Sequence, residues 1–273
     1  MQFKKFSMKE LGSIALFLTL VACATSPLGR KQLMLIPDNQ MDQMGAQSFA
    51  QLKTQQPIES NPAMNQYVKC IVDPLTQAAQ GQTSITNWDV VVFKDPGANA
   101  FALPGGKIGV NTGIVPVAKT DAQLAAVIGH EIGHVIARHG AERVSQQTTT
   151  QLGLSAIGAI SSNSTQGQML MGLLGIGTQV GILLPFSRTQ ESEADQIGLK
   201  LMAQAGFDPQ QSVELWKNMI SESGGKGGPQ FLSTHPASES RIQALQQNMP
   251  GALGLYQQAQ AGGHKPHCPH PSS

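Results

Sequence analysis

The stretch VIGHEIGH, Val127 to His134, sets two histidines four positions apart with a glutamate directly after the first. Four positions make about one helical turn, so on an α-helix His130 and His134 project from the same face. Imidazole is the commonest protein ligand of zinc, and one turn is the separation at which two rings reach a single ion. Glu131 lies about 100° around such a helix, close enough to act on a water at the ion without being a ligand. A site with two histidines from one helix takes its third protein ligand from elsewhere and leaves a fourth position for water. The segment FSRTQESEADQIGLKLMAQAGFDP, Phe186 to Pro209, offers that ligand. Glu191 and Asp195 again lie four apart, so Glu191 can reach the metal while Asp195 receives the N–H of a ligating imidazole. Glu193 sits about 200° from Glu191 on the helical wheel and is the weaker candidate. Taken alone, Glu191 and Asp195 are an ordinary solvated helix face; beside the histidine pair they become a site.

These residues need elements to carry them. Thr120 with Gln123 three positions on matches a capping box, and Leu124, Val127, Ile128, Val135 and Ile136 supply a buried helical face, so the histidines fall in the second half of a well-marked helix. His139 reads as a helix-end residue favoured by the dipole. Ahead of that helix, NWDVVVFKD from Asn87 is β-rich, and NAFALPGGKIGVNTGIV from Asn99 reads as two strands joined by a Pro-Gly-Gly turn. Asp38 caps a helix running to about Thr54, with Met41, Met44, Phe49 and Leu52 as its apolar stripe. Asn61 and Pro62 start a second helix through Ala79, with Met64, Tyr67, Val68, Ile71, Val72 and Leu75 inside. The helix after Phe186 ends at Gly206 with Pro209 just beyond, and His235 with Pro236 lies in a loop before a further helix. Internal repeats are lacking. The expected fold is α+β and mainly helical, a single domain over residues 37–250 with a small β-sheet.

The chain has 273 residues with 40% hydrophobic content, enough for one substantial core. Its net charge is +1 and only 13% of residues are charged, well under the usual figure of about 25%. With no Lys/Arg run, a nucleic-acid partner is not expected. Lys4, Lys5 and Lys9 precede LGSIALFLTLVA, an apolar run too short for a membrane span but suited to a secretory signal over residues 1–22. The run ends in LVAC, which resembles the bacterial lipobox. That resemblance implies cleavage before Cys23 and lipid attachment to it; a plain signal peptide with a chance cysteine is the alternative. Ala24 stands where inner-membrane retention favours Asp, which implies the outer membrane. Residues 23–36 then read as a lipidated tether. In an oxidising compartment Cys70 and Cys268 are an even pair, open to a disulfide or to a buried Cys70 with a free tail thiol. From Val144 to Ser187 there is no charged residue. Within it MLMGLLGIGTQVGILLP, interrupted by Gly, Thr and Gln, reads as a buried or membrane-contacting helical hairpin rather than a span. Residues 251–273 read as a flexible tail, with His264, His267 and His270 around Cys268 as either a metal-binding cluster or a disordered polar segment.

HEIGH followed by SRTQESEAD resembles the gluzincin metallopeptidases of the HtpX and CAAX prenyl protease type. Their second motif, S-R-x-x-E-x-x-A-D, is met by Ser187, Arg188, Glu191, Ala194 and Asp195. The similarity runs from Arg30 to Gln247, through NAFALPGGKIGVNTGIV and STHP with Arg241. The lipobox and the lack of clear spans resemble the outer-membrane lipoprotein branch (LoiP-like, BepA-like). What the resemblance implies is a zincin-like domain holding one zinc ion per chain through His130, His134 and Glu191, with Asp195 behind them and Glu131 as general base. It implies that His235 either stabilises the tetrahedral oxyanion or swings onto the zinc's open position, and that Arg241 pairs with a site carboxylate. Asn99, Ala100, Phe101 and Ala102 resemble the family's edge strand, where a peptide substrate adds as an extra strand. The expected function is a zinc endopeptidase lipid-anchored to the bacterial outer membrane and facing the periplasm. Its expected substrates are misfolded or misassembled envelope proteins, with the outer-membrane assembly machinery as a candidate partner. The rival reading is a chaperone-like or scaffold lipoprotein with a latent protease site.

Overall fold

A computed structural model describes residues 23–160, 186–223 and 229–271. The expected signal sequence and the expected hairpin from Met169 to Pro185 lie outside these. No helix among the described residues is long and apolar enough to cross a membrane.

Two helices precede the three-stranded sheet. α1 (Asp38–Gln55) begins after Pro37, which occupies the cap without a side-chain bond, so Asp38 is the first helical residue rather than the cap and ion-pairs with Arg138. α2 (Pro62–Ala78) starts as expected: Asn61 Oδ1 accepts from Ala63 N at 2.9 Å and Met64 N at 3.4 Å. Tyr67, Val68, Ile71, Val72 and Leu75 bury its inner face.

After the N-terminal pair β1 (Cys23–Thr25) and β2 (Lys31–Leu33), the strands β3 (Asp89–Phe93), β4 (Ala100–Leu103) and β5 (Lys107–Asn111) form a second sheet of order β3-β5-β4. β3 runs parallel to β5 and β4 antiparallel to it, joined through Pro104-Gly105-Gly106. Gly105 and Gly106 have φ of +75° and +72°, a conformation that excludes a β-branched side chain from this turn. β4 is an edge of this sheet.

α3 (Asp121–Ile136) crosses the centre of the molecule with almost every residue buried. Thr120 Oγ1 accepts from Gln123 N at 3.1 Å, but Gln123 Oε1 takes Lys119 N at 3.0 Å, so only half of the expected capping box forms. α4 (His139–Ile160) follows after a bend. α5 (Arg188–Gln204) opens with a complete capping box between Ser187 and Gln190. α6 (Gln211–Ser223), the short α7 (Phe231–Thr234) and α8 (Glu239–Ala261) complete the chain.

Small residues set how close α3 and α5 come. A Cβ on Gly133 would lie 2.7 Å from Ala194 O, and one on Gly198 would lie 2.7 Å from His130 N. Helical glycine costs roughly 1 kcal/mol against alanine, so these glycines are retained for approach. That approach brings Glu191 beside the two histidines.

Two terminal expectations need correction. Residues 23–36, expected as a tether, begin with the β1–β2 hairpin, and Arg30 between its strands bonds both Glu142 and Glu193. The expected flexible tail from residue 251 is helical to Ala261 and then returns to the domain. Cys268 is buried there and disulfide-bonded to Cys70, which holds the segment on α2. The pairing left open by the sequence is thus a bond.

Candidate metal centre

α3 presents His130 and His134 on one face, and α5 lays Glu191 across them. Their ligating atoms converge. His130 Nε2 lies 3.0 Å from His134 Nε2 and 3.5 Å from Glu191 Oε2, and His134 Nε2 lies 3.4 Å from Glu191 Oε1. His235, at the end of α7, adds a fourth atom: its Nδ1 is 3.2 Å from His130 Nε2 and 2.9 Å from Glu191 Oε1. All four residues are buried.

This donor set fits a metal ion. Metal–nitrogen bonds of about 2.0–2.1 Å in tetrahedral geometry put neighbouring ligand atoms about 3.3 Å apart, close to the spacings here. Two imidazole nitrogens facing each other at 3.0 Å repel unless a cation or a proton lies between them. The tautomers agree with ligation, because His130 Nδ1 lies 2.9 Å from Asp195 Oδ1 and His134 Nδ1 lies 2.9 Å from His139 Nδ1. With those atoms engaged behind, both Nε2 lone pairs face the centre.

Charge is arranged to match. Burial would raise the Glu191 carboxyl, yet the facing imidazoles of His130, His134 and His235 hold it far below the usual carboxylate range. Burial likewise disfavours charge on His130, but Asp195 and Glu191 outweigh it and raise the imidazole to about 9, so the centre favours a positive charge at Nε2 that either a proton or a metal ion can supply. Asp195 is depressed against its burial by Arg241, whose guanidinium lies 3.9 Å over the Trp216 ring. Glu131, next along α3, is different: burial raises its carboxyl. That suits a group that must take up a proton near neutral pH. One of its oxygens lies 3.3 Å from His235 Nε2.

The edge strand borders this cluster. A cavity of about 90 Å³ is lined by Asn99, Ala100, Phe101 and Ala102 on one side and by Glu131, Thr234 and His235 on the other. The Ala102 N–H bonds to the Glu131 carboxylate.

The sequence reading missed several residues. His139, expected as a helix-end residue favoured by the dipole, is fully buried against His134. Glu193 is not among the converging atoms, yet it receives His139 Nε2 at 3.1 Å. Phe186 stacks on His134 with ring centres 3.9 Å apart, and the Arg143 guanidinium lies 3.8 Å from the centre of the Phe186 ring. A third histidine five positions after His134 was the one visible signal.

Comparison with known proteins settles the family, because the description "Peptidase family M48" matches residues 62–249, from α2 well into α8. The chain belongs to peptidase family M48. Among curated M48 relatives, it is 42% identical over 176 residues to the mitochondrial metalloendopeptidase OMA1 of Schizosaccharomyces pombe, covering 64% of this chain and 50% of that protein. The Arabidopsis thaliana OMA1 is 38% identical over 192 residues, 70% of this chain and 38% of the relative. The Beta-barrel assembly-enhancing protease of Escherichia coli K12 is 31% identical over 208 residues, 73% of this chain and 42% of the relative. The chain thus spans about half or less of these relatives. Within the M48 match fall all four converging residues, Glu131, Asp195, Arg241 and the edge strand.

Proposed function

We propose that this M48 domain is a zinc-dependent endopeptidase. The observation that carries the reading is the convergence of His130, His134 and Glu191 with the Glu131 carboxylate beside them, 3.3 Å from His235, at the edge of β4. Bound zinc supplies Lewis acidity toward a water and the scissile carbonyl. The chain's own residues do the rest. Asn111 N–H donates to Asn99 O at 3.0 Å, so the alternation of an antiparallel ladder turns the backbone groups of Ala100 and Ala102 away from β5. A peptide added along that edge runs past Glu131. Glu131 accepts the proton of the attacking water and passes it to the departing amine.

We further propose a place and a substrate class: a lipid-anchored protein of the bacterial outer membrane, acting from the periplasm on misfolded or misassembled envelope proteins. LVAC at Cys23 and the name of the Escherichia coli relative support this; the OMA1 relatives, with their mitochondrial names, support the peptidase and not the place. In this reading the branch is the outer-membrane lipoprotein one, with assembly machinery as a partner.

A second reading has one specific observation behind it. His235 Nδ1 stands within the ligand set instead of beside it, which is the arrangement of a latent site whose water position is filled by the protein. The scaffold role would then be the resting state.

Zinc analysis of the purified protein with casein digestion tests the proposal. One zinc per chain, with cleavage abolished by chelation and restored by zinc, is expected. Absence of both zinc and cleavage would sink it; zinc without cleavage would favour latency.

A further inference from the structure

Behind His134, on the side away from the converging ligands, an unbroken series of side chains runs to the N-terminal hairpin. His134 Nδ1 lies 2.9 Å from His139 Nδ1, and His139 Nε2 lies 3.1 Å from Glu193 Oε2. Arg30 Nε reaches the same carboxylate oxygen at 3.0 Å. The other two guanidinium nitrogens of Arg30 clasp Glu142 at 2.6 and 2.7 Å.

The protons in this series have only one consistent arrangement. For His134 to ligate through Nε2, its proton must sit on Nδ1, where it is donated to His139 Nδ1. His139 must therefore carry its own proton on Nε2. A carboxylate is an acceptor only, so Glu193 fixes that tautomer by receiving the Nε2–H. Arg30 donates to the same oxygen and anchors the carboxylate.

The backbone is built to put His139 there. Arg138, between α3 and α4, has φ of 57°, a left-handed conformation that a side chain rarely adopts. Contacts on both sides hold this bend: Gln32 Nε2 donates to Ala137 O at 2.8 Å, and Arg138 pairs with Asp38. Leu35 N donates to Ser145 Oγ at 2.9 Å and ties the segment after the hairpin to α4.

We infer that Arg30 of the N-terminal hairpin, acting through Glu193 and His139, is a positioning residue for His134 and sets the metal affinity of the site. The inference rests on the metal-centre reading. It adds that the first described segment of the chain controls a ligand that it never touches.

The test measures zinc affinity of the full chain by competition with a chromophoric chelator, and records the visible spectrum of the cobalt-substituted protein. Glu193→Leu is the decisive variant. Its side chain is close in volume and leaves Arg30 clasped to Glu142, but it accepts no N–H from His139 Nε2 and so frees the tautomer. With the His139 proton on Nδ1, two Nδ1 protons would face each other across the His134–His139 contact. Glu193→Leu and Arg30→Met should each weaken zinc binding, the former about 10–100-fold, the usual cost of losing an outer partner of a ligand, with an altered cobalt spectrum. Arg30→Lys should recover part of the loss, and Lys31→Met, an exposed change in the same hairpin, should recover wild-type values. A purely structural hairpin would lower the melting temperature and leave affinity and spectrum alone; that result overturns the inference. Should Arg30→Met fail to fold, Glu193→Leu decides by itself. If the wild type takes up no more zinc than His134→Ala, the metal centre fails and the inference with it.

Discussion

Arg241 on α8 meets Asp195 on α5 through two contacts of 2.7 Å, Nε to Oδ2 and Nη2 to Oδ1, in a fork that fits the carboxylate. Asp195 Oδ1 is also the atom that faces His130 Nδ1. Because buried pairs repay their desolvation poorly, this one is better read as orientation than as stability. Asp195→Ala should weaken metal binding about 10–100-fold. Arg241→Met, which strips countercharge from the buried carboxylates of Asp195 and Glu191, should destabilise the fold by about 3–5 kcal/mol. Zinc competition and urea denaturation measure these; unchanged zinc affinity in Asp195→Ala would remove the orienting role.

The α3–α5 crossing makes a second prediction. Gly198→Ala should gain about 1 kcal/mol of helix propensity. However, the new methyl would stand 2.7 Å from His130 N, which is backbone and cannot turn aside. Overpacking costs about 1–3 kcal/mol, so the net effect should be a lower melting temperature together with weaker metal binding. A more stable variant would show that the helices have room to part.

Glu142 carries a pH signature. Burial opposes its ionisation, but Arg30 and Gln190 outweigh burial and hold its carboxyl below the ordinary 4.5. A depressed carboxyl stabilises the fold fully above its unfolded value and loses that contribution as pH falls through the folded one. The stability gap between wild type and Glu142→Gln should therefore be constant near neutrality and close below about pH 4.5. Thermal melts of zinc-free protein across that range give the answer; a gap independent of pH would contradict the pairing.

Which parts were legible beforehand follows from what spacing can encode. His130, Glu131 and His134 were readable because one helical turn fixes their relation without any knowledge of packing. Glu191 and Asp195 were readable as a pair for the same reason. The bend at Arg138 was hidden, since nothing local marks a non-glycine residue with φ of 57°. With it went the burial of His139 and the purpose of Glu193. The hairpin at residues 23–33 looked like a tether because three-residue strands leave almost no pattern; docking through Arg30 and Gln32 holds it. The domain was expected to close at residue 250, yet α8 continues through Pro250 to Ala261. The disulfide then holds the tail, and composition cannot reveal that.

His235 offers an outcome of either sign. If its imidazole only stabilises the oxyanion, His235→Ala should keep zinc and lower turnover by about 10²-fold or more. If it fills the fourth ligand position, as its 2.9 Å approach to Glu191 suggests, the same change should open the site and raise basal cleavage of unfolded protein. Casein digestion by equal zinc-loaded amounts of both proteins distinguishes them. An unchanged rate would leave His235 with a packing role alone, against Phe231.

The central claim is that Glu131 is the proton acceptor of a zinc peptidase, and the most direct measurement is Glu131→Gln assayed for zinc and for cleavage on one preparation. The amide keeps the size of the side chain and touches none of the ligating atoms of His130, His134 or Glu191. Zinc content and fold should therefore match the wild type while peptide hydrolysis falls by about 10²–10⁴-fold, the range for a lost general base. Wild-type cleavage rates in the zinc-loaded variant would contradict the account.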